Sequence, residues 1–121
     1  MPTPHQPLAA RSCVPCRGGV PPLDPGAVDA YQAEVPDWSV RDNGHRIERV
    51  FKFRTFADAF ALVRQVAALA EAEGHHPDIA FGWGYARISL HTHAIGGLHE
   101  NDFILAAKID RLAASGEERG E

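Results

Sequence analysis

Seven histidines are the side chains of this chain most suited to chemistry, because four of them occur in two close groups. His75 and His76 are adjacent and directly precede Pro77, whereas His91 and His93 are two residues apart. The imidazole ring changes its charge near neutral pH, so grouped histidines are typical of proton transfer or of metal binding. The grouping therefore predicts a site for one of these two kinds of chemistry.

A metal site is the weaker of these two predictions. Adjacent rings such as those of His75 and His76 seldom reach one ion, and no two histidines have the four-residue spacing that is common for metal ligands on a helix. His91 and His93 remain a sterically possible ligand pair. Proton transfer is therefore the preferred interpretation.

The two cysteines form a single Cys-x-x-Cys motif at Cys13 and Cys16. A zinc site made of cysteines needs a second such pair, and a redox motif needs to lie at the start of a helix that follows a strand. This motif instead lies in a proline-rich segment, and the cysteines of a cytosolic chain are usually reduced. We therefore expect a structural or incidental role for both thiols.

The elements that must position the histidines follow from the hydrophobic pattern. It predicts the order helix, strand, strand, helix, strand, strand, helix, over residues 25–34, 37–42, 45–54, 56–73, 79–83, 85–93 and 99–113. Asn43-Gly44 predicts a two-residue hairpin turn, Thr55 with Asp58 resembles a capping box, and Gly74 suits a helix end. This order predicts an α+β fold, a four-stranded antiparallel sheet with helices packed on one face.

These elements place the two histidine groups at element ends. The pair His75-His76 follows the end of the long helix, and Pro77 restricts His76 to an extended backbone. His91 and His93 share the polar face of the last strand, because side chains alternate along a strand. A strand end that faces the helix end would bring His93 near the pair.

The remaining three histidines are predicted to lie on the surface. His5 and His45 stand alone, and His99 stands where Ser, Thr or Asp usually caps a helix. We therefore expect His99 to be a weak cap or a surface residue.

The composition is that of one small globular domain, with 45% hydrophobic and 23% charged residues. A net charge of -4 disfavours a general nucleic-acid or anionic-membrane surface. No apolar run approaches the ~20 residues of a membrane span, and the first ten residues do not resemble a signal peptide. We therefore expect a cytoplasmic protein.

The prolines divide the chain, because eight of the nine lie within the first 36 residues. They predict a proline-rich leader over residues 1–22 that is extended or partly disordered, followed by a compact domain over residues 23–115. The polar end of the chain predicts a disordered tail over residues 116–121.

The spacing of the histidines and their neighbours resembles that of the pterin-4a-carbinolamine dehydratase family. The family pattern joins an acidic residue, a His-His-Pro motif, an aromatic residue, a third histidine and an aspartate at set intervals. In this chain those positions are held by Glu71, His75-His76-Pro77, Trp83, His93 and Asp102. The segments CVPCRGGVPPL and PDWSV…FKFRTFADAF are also similar to bacterial members, so the resemblance covers about residues 12–112.

The resemblance implies a lyase that dehydrates 4a-hydroxytetrahydropterin to quinonoid dihydropterin. This reaction recycles the pterin cofactor of aromatic amino acid hydroxylases, so the resemblance implies a pterin substrate and such a hydroxylase as a pathway partner. It also implies the same antiparallel sheet, a homodimer or homotetramer, and catalysis that needs neither a metal nor an added cofactor.

The resemblance assigns catalysis to His75, His76 and His93. We expect His76 and His93 to flank the pterin ring and one histidine to protonate the leaving hydroxyl, while the division into acid and base stays open. The predicted substrate-binding residues are these three together with Pro77, Thr92, Ala94 and Ile95.

Three further motif residues are predicted to support the site. Glu71 is expected to orient His75 from the helix end, with a solvated helix residue as the alternative. Asp102 is expected to support His93 or the last helix. Trp83 is expected to lie in the core or an interface rather than to form a wall of the pterin site.

Two other functions remain open for a chain with this motif. Some relatives bind transcription factors or assist protein assembly without catalysis, and a different pterin pathway, such as that of the molybdenum cofactor, is a further alternative. The complete histidine set favours the enzyme over a binding or assembly module.

Overall fold

The computed structural model describes residues 6–15 and 19–119, so His5 and Cys16 lie outside the described residues. The elements are a short 3₁₀ helix Leu8–Ala10, α1 Pro25–Gln32, β1 Ser39–Arg41, β2 Arg46–Lys52, α2 Phe56–Glu73, β3 Asp78–Gly82, β4 Tyr85–Leu90, a second 3₁₀ helix His93–Ile95 and α3 Glu100–Arg119. This order confirms the predicted α+β class. No helix in the described part of the chain is long and apolar enough to cross a membrane.

The four strands form one antiparallel sheet in the order β1-β2-β4-β3. Phe51 and Phe81 both stand opposite Ala86, so these residues share one face of the sheet. That face joins apolar residues of α2 and α3 in a single core. On the other face Glu48 and Asp78 stand opposite Ser89, so this face is polar at the same level.

The long helix α2 has the bounds predicted for it, because both of its ends are determined locally. The hydroxyl of Thr55 accepts a hydrogen bond from the backbone N–H of Asp58 at 3.1 Å. Gly74 has a φ of 68°, the left-handed conformation that ends a helix at little cost in glycine. The end of α2 therefore directs the chain into the His-His-Pro motif.

The first hairpin is confirmed, but its turn is longer than predicted. Arg41 pairs with Arg46, which leaves a four-residue loop in place of a two-residue turn. Asp42, Asn43 and Gly44 all have positive φ values, of 52°, 54° and 85°. Asp and Asn tolerate this conformation better than other residues with side chains, so the loop extends beyond the Asn-Gly pair.

The described leader segment 6–15 packs against the body of the protein. Leu8 is only 2% exposed and belongs to the core. The backbone N–H of Cys13 donates to Glu73 at 2.8 Å, and the side chain of Asn101 bonds both the N–H and the carbonyl of Val14. At the other end of the chain, α3 continues to Arg119 through most of the predicted tail.

Candidate functional site

A buried carboxylate lies at the centre of the candidate site. Asp102 is 0% exposed, and its Oδ1 lies 2.6 Å from Nε2 of His75. Its Oδ2 accepts hydrogen bonds from the hydroxyl of Thr92 at 2.8 Å and from the backbone N–H of His99 at 3.0 Å. Because an ionised carboxylate only accepts, Nε2 of His75 carries a proton and Nδ1 is left as the acceptor of the neutral ring.

The start of α3 holds this carboxylate in place. Nδ1 of His99 accepts from the backbone N–H of Asn101 at 3.0 Å, while Asp102 accepts from the N–H of His99. This reciprocal arrangement is a capping box in which a histidine takes the place of Ser or Thr. His99 is therefore the cap of α3. Asp102 supports the same helix, which is one of the two roles predicted for it.

The other predicted role of Asp102 is wrong, since its histidine partner is His75 and not His93. The prediction for Glu71 is also wrong, because its carboxylate is hydrogen-bonded to Nε2 of His76 and not to His75. Gly74 turns the chain so that His75 enters the space between α2 and α3, where its side chain is 11% exposed. His76 and Glu71 lie at the surface, where such a pair contributes at most about 1 kcal/mol.

The second histidine group forms by a different local structure from the one predicted. β4 ends at Leu90 instead of residue 93, and His93 begins a 3₁₀ helix, so His91 and His93 do not share a strand face. Their rings nevertheless meet, with Nε2 of one 2.6 Å from Nε2 of the other and an interplanar angle of 84°. Gly96, with a φ of 64°, ends the 3₁₀ helix that makes this contact possible.

An open pocket of about 290 Å³ lies beside the second group. His91, Thr92 and His93 line one side, and the loop between β1 and β2 lines the other. His75 and His76 do not line it. The two histidine groups are linked instead through the bond from Thr92 to Asp102, because Thr92 directly precedes His93.

The other predicted binding residues surround these groups along the chain. Pro77 is half-buried between His76 and β3, while Ala94 is exposed and Ile95 half-buried in the second 3₁₀ helix. The side chains of Pro77, Ala94 and Ile95 are apolar, so only the backbone of these residues can make a hydrogen bond.

Of the two locations predicted for Trp83, the core is wrong, and an interface stays a prediction. The indole is 73% exposed and lies in the turn between β3 and β4, between Gly82 and Gly84. The five residues of β3 span about 16 Å and separate this turn from the His-His-Pro motif. Trp83 therefore lies at the opposite end of β3 from the His-His-Pro motif of its own chain.

Sequence reasoning missed the polar contacts that hold the leader beside the site. Glu73, two residues before His75, binds Lys108 at 2.8 Å as well as the N–H of Cys13, and these two contacts lower the pKa of its carboxyl. Burial, followed by the charge of Glu73, raises the pKa of the Cys13 thiol to about 12. No local signal in the sequence identifies these partners, because they are 60 and 35 residues apart.

The rings of both histidine groups have polar partners among the described residues. Within residues 6–15 and 19–119, no group of three or more His, Cys, Asp or Glu side chains is placed to hold a metal ion. The imidazoles of His75 and His76 contact carboxylates, and those of His91 and His93 contact each other. Such pairs hold protons at defined nitrogens, which is what general acid–base catalysis requires.

Comparison with known proteins shows the family to which the chain belongs. The family model for Pterin 4 alpha carbinolamine dehydratase matches residues 21–112. A provisionally named pterin-4-alpha-carbinolamine dehydratase of Azoarcus sp. (strain BH72) is 52% identical over 109 residues, covering 90% of this chain and 93% of the relative. Another, of Methylococcus capsulatus, is 50% identical over 107 residues, covering 88% of this chain and 94% of the relative.

Two solved structures have similar folds. A transcriptional coactivator/pterin dehydratase from Brucella melitensis has a TM-score of 0.72 at 29% identity, covering 76% of this chain and 98% of that one. A pterin dehydratase-like protein identified as a RuBisCO assembly factor in the alpha-carboxysome has a TM-score of 0.56 at 31% identity, covering 64% of this chain and 89% of that one. The family model and the relatives agree with the motif predicted from the sequence, and the chain belongs to the pterin-4a-carbinolamine dehydratase family.

Proposed function

We propose that the chain is a hydro-lyase that dehydrates 4a-hydroxytetrahydropterin to quinonoid dihydropterin by histidine acid–base catalysis. In the cell this reaction would recycle the pterin cofactor of aromatic amino acid hydroxylases. The observation that carries the proposal is the complete histidine set of the family, His75, His76 and His93, with one ring bonded to a buried carboxylate and another beside a pocket.

The reaction needs an acid and a base, and the site has candidates for both. Hydroxide is a poor leaving group from C4a, so its oxygen has to gain a proton, while N5 has to lose one as the C4a–N5 double bond forms. His75 is the best-defined base, because Asp102 holds its proton on Nε2 and leaves Nδ1 free to accept. His93 is the proposed acid, since it is exposed beside the pocket.

The remaining residues are proposed to bind the pterin. His76 is exposed and hydrogen-bonded to Glu71, so its ring is held at the surface next to His75. Pro77 fixes the direction of the chain after it. The segment Thr92–Ile95 would contribute backbone groups, because the hydroxyl of Thr92 already binds Asp102.

The proposal is tested by following the dehydration of 4a-hydroxytetrahydropterin, generated in situ, by absorbance. We expect a rate well above the spontaneous one, unaffected by a chelator. His75→Ala, His76→Ala and His93→Ala should each lose about 10²-fold or more, the usual contribution of a general acid or base. Circular dichroism of each variant shows whether the fold survives, and a wild-type rate equal to the spontaneous rate would exclude the enzyme.

The second candidate function is a non-catalytic assembly or binding module. It is favoured by the structural similarity to the RuBisCO assembly factor. An inactive protein that binds a pterin would favour a role in another pterin pathway, such as that of the molybdenum cofactor. An inactive protein that binds no pterin would favour the assembly module.

We also propose that the chain forms a homodimer or a homotetramer. Phe56 and Phe60 of α2 are 46% and 48% exposed, and their rings pack against Phe81 of β3 with centroids 5.4 and 6.1 Å apart. β3 is an edge strand of the sheet, so its outer backbone groups are available to a second chain. Exposed aromatic side chains grouped beside such an edge are typical of an interface.

Light scattering of the purified protein tests this oligomer. We expect two or four times the chain mass of 13.2 kDa, and Phe60→Ser should shift the protein towards the monomer. Val14→Ser, at an exposed valine of the leader, is the control and should leave the mass unchanged. A monomeric wild-type protein at micromolar concentration would contradict the proposal.

A further inference from the structure

We infer that His91 is a proton-relay residue for His93, a role that rests on the proposed dehydratase function. The family motif does not include position 91. The inference is carried by the contact between the two rings, whose Nε2 atoms are 2.6 Å apart with the ring planes at 84°.

A contact this short between two ring nitrogens requires a shared hydrogen. One Nε2 has to carry the proton and the other has to present a lone pair, because two lone pairs or two N–H groups would repel each other. Both Nε2 atoms are therefore engaged, and each ring is left with its Nδ1 atom. His93 can act on a substrate only through Nδ1, which has no hydrogen-bond partner among the residues that the structure describes.

The other end of the pair opens towards solvent. Nδ1 of His91 lies 3.8 Å from Oδ2 of Asp78, whose side chain is 75% exposed. The His91 side chain is 22% exposed, so water reaches this end of the pair. The two rings thus form a path from solvent beside Asp78, through both imidazoles, to Nδ1 of His93.

The charged groups across the pocket are engaged with one another. Arg46 pairs with Asp42 at 3.1 Å, and Nδ1 of His45 lies 2.6 Å from the carbonyl oxygen of Asp42. They face the same pocket as His91 and His93, and Nε of Arg46 makes no hydrogen bond with any described residue despite its closeness to Asp42. Among the described residues, Asp78 is the carboxylate within ion-pair distance of the histidine pair, 3.8 Å from Nδ1 of His91.

The relay allows a neutral His93 to act as an acid without becoming an imidazolate anion. The Nδ1–H bond of His93 breaks as an O–H bond forms on the C4a hydroxyl, which leaves as water with the electron pair of the C4a–O bond. At the same time the Nε2–H bond of His91 breaks, an Nε2–H bond forms on His93, and solvent water protonates Nδ1 of His91, leaving a hydroxide that the proton released from N5 neutralises. Nδ1 of His93 then takes up a proton from water, the shared proton returns from Nε2 of His93 to Nε2 of His91, and Nδ1 of His91 releases its proton to the resulting hydroxide, which restores the starting arrangement.

Two variants of His91 separate relay from simple positioning. His91→Gln keeps an N–H donor towards His93 but cannot pass a proton on, and His91→Leu removes the donor as well. We expect both variants to lower kcat by about 10²-fold with KM changed less than twofold, the lower end of a general-acid contribution. Imidazole added to the buffer should restore part of the kcat of His91→Leu in proportion to its concentration and leave the wild-type rate unchanged.

Nitrogen NMR of the histidine rings provides a readout that does not depend on activity. In the wild-type protein we expect scalar coupling between the two Nε2 nuclei across the shared hydrogen and an Nδ1–H form of His93, both lost in His91→Leu. Absence of the coupling, wild-type kcat in His91→Gln, or no rescue by imidazole would each overturn the relay. A wild-type protein that shows the coupling but no dehydration would instead refute the proposed function and, with it, the catalytic use of the pair.

Discussion

Replacing Asp102 with asparagine should reverse the hydrogen bond that holds His75. The amide has nearly the same volume as the carboxylate, and its oxygen can still accept from the hydroxyl of Thr92 and the N–H of His99. Its NH₂ group then faces Nε2 of His75, which has to become an acceptor. The ring proton therefore moves to Nδ1, and the lone pair that we assign to the base is lost.

The cost in stability follows from the three bonds that Asp102 accepts. Hydrogen bonds to a charged group contribute about 1.5–3 kcal/mol each and neutral ones about 0.5–1.5 kcal/mol, so three bonds lose roughly 3 kcal/mol together. For a domain of 121 residues each kcal/mol lowers Tm by about 4 °C, which gives a fall of about 12 °C. Asp102→Ala should cost more, about 3–5 kcal/mol, because it leaves buried donors without a partner.

Three measurements check the Asp102→Asn variant. Thermal unfolding gives the change in Tm, nitrogen NMR gives the tautomer of His75, and the dehydration assay at a temperature where the variant is folded should show a loss of 10²-fold or more. Thr92→Val is the matched control, because it removes a single bond to the same carboxylate. It should cost about 1.5–3 kcal/mol, the contribution of one hydrogen bond to a charged group, and leave the proton of His75 on Nε2.

An Asp102→Asn protein whose His75 keeps its proton on Nε2 and whose Tm stays within 2 °C of the wild type would refute the role assigned to Asp102. A changed tautomer with dehydration at the wild-type rate would refute the role of His75 as the base. With a changed tautomer and an unchanged rate, a group other than His75 would have to be the general base.

Three further predictions concern the leader and its anchor. Leu8→Ala should lower the free energy of unfolding by about 2–5 kcal/mol because Leu8 is 2% exposed, whereas Val14→Ala at a 56% exposed position should change it by less than about 0.5 kcal/mol, as urea titration will show. In a Cys16→Ser protein, Cys13 should react with iodoacetamide at least about 30-fold more slowly in the folded protein than in the unfolded chain. Its pKa of about 12, against an ordinary value of 9.0, lowers the thiolate fraction, and the higher nucleophilicity of the more basic thiolate offsets only part of this effect. Equal rates in the folded and unfolded chains would contradict the prediction. Glu73 has a lowered pKa in the folded state. Its contribution to stability should therefore be present above its ordinary pKa of 4.5 and be lost as the pH falls through the lower pKa of the folded state. A stability difference between the wild type and Glu73→Gln that did not shrink below pH 4.5 would exclude this contribution.

Local sequence signals predicted the elements whose limits depend on neighbouring residues. The ends of α2 follow from Thr55 and Gly74, whose hydroxyl and positive φ act within one helical turn. The same locality explains the hairpins and the cap at His99. The predicted length of the first turn and the predicted end of β4 were wrong, because the pairing between strands decides where each strand ends.

The hydrogen-bond partners of the motif residues were not predicted correctly. Glu71 and Asp102 were both expected beside histidines, but the structure pairs Glu71 with His76 and Asp102 with His75. Trp83 illustrates the same difficulty, since an aromatic residue between two glycines is consistent with the core and with an exposed turn. Burial depends on what packs against a residue, and spacing along the chain does not contain that information.

By itself the sequence determined the family, the order of the elements and the three motif histidines, because each depends on residue types at short separations. Tertiary structure alone decided that Leu8 enters the core, that Asp102 binds His75, and that His91 meets His93. A hydrogen bond depends on tenths of an ångström and on direction. Those quantities exist only after α2, α3 and the sheet have packed against one another.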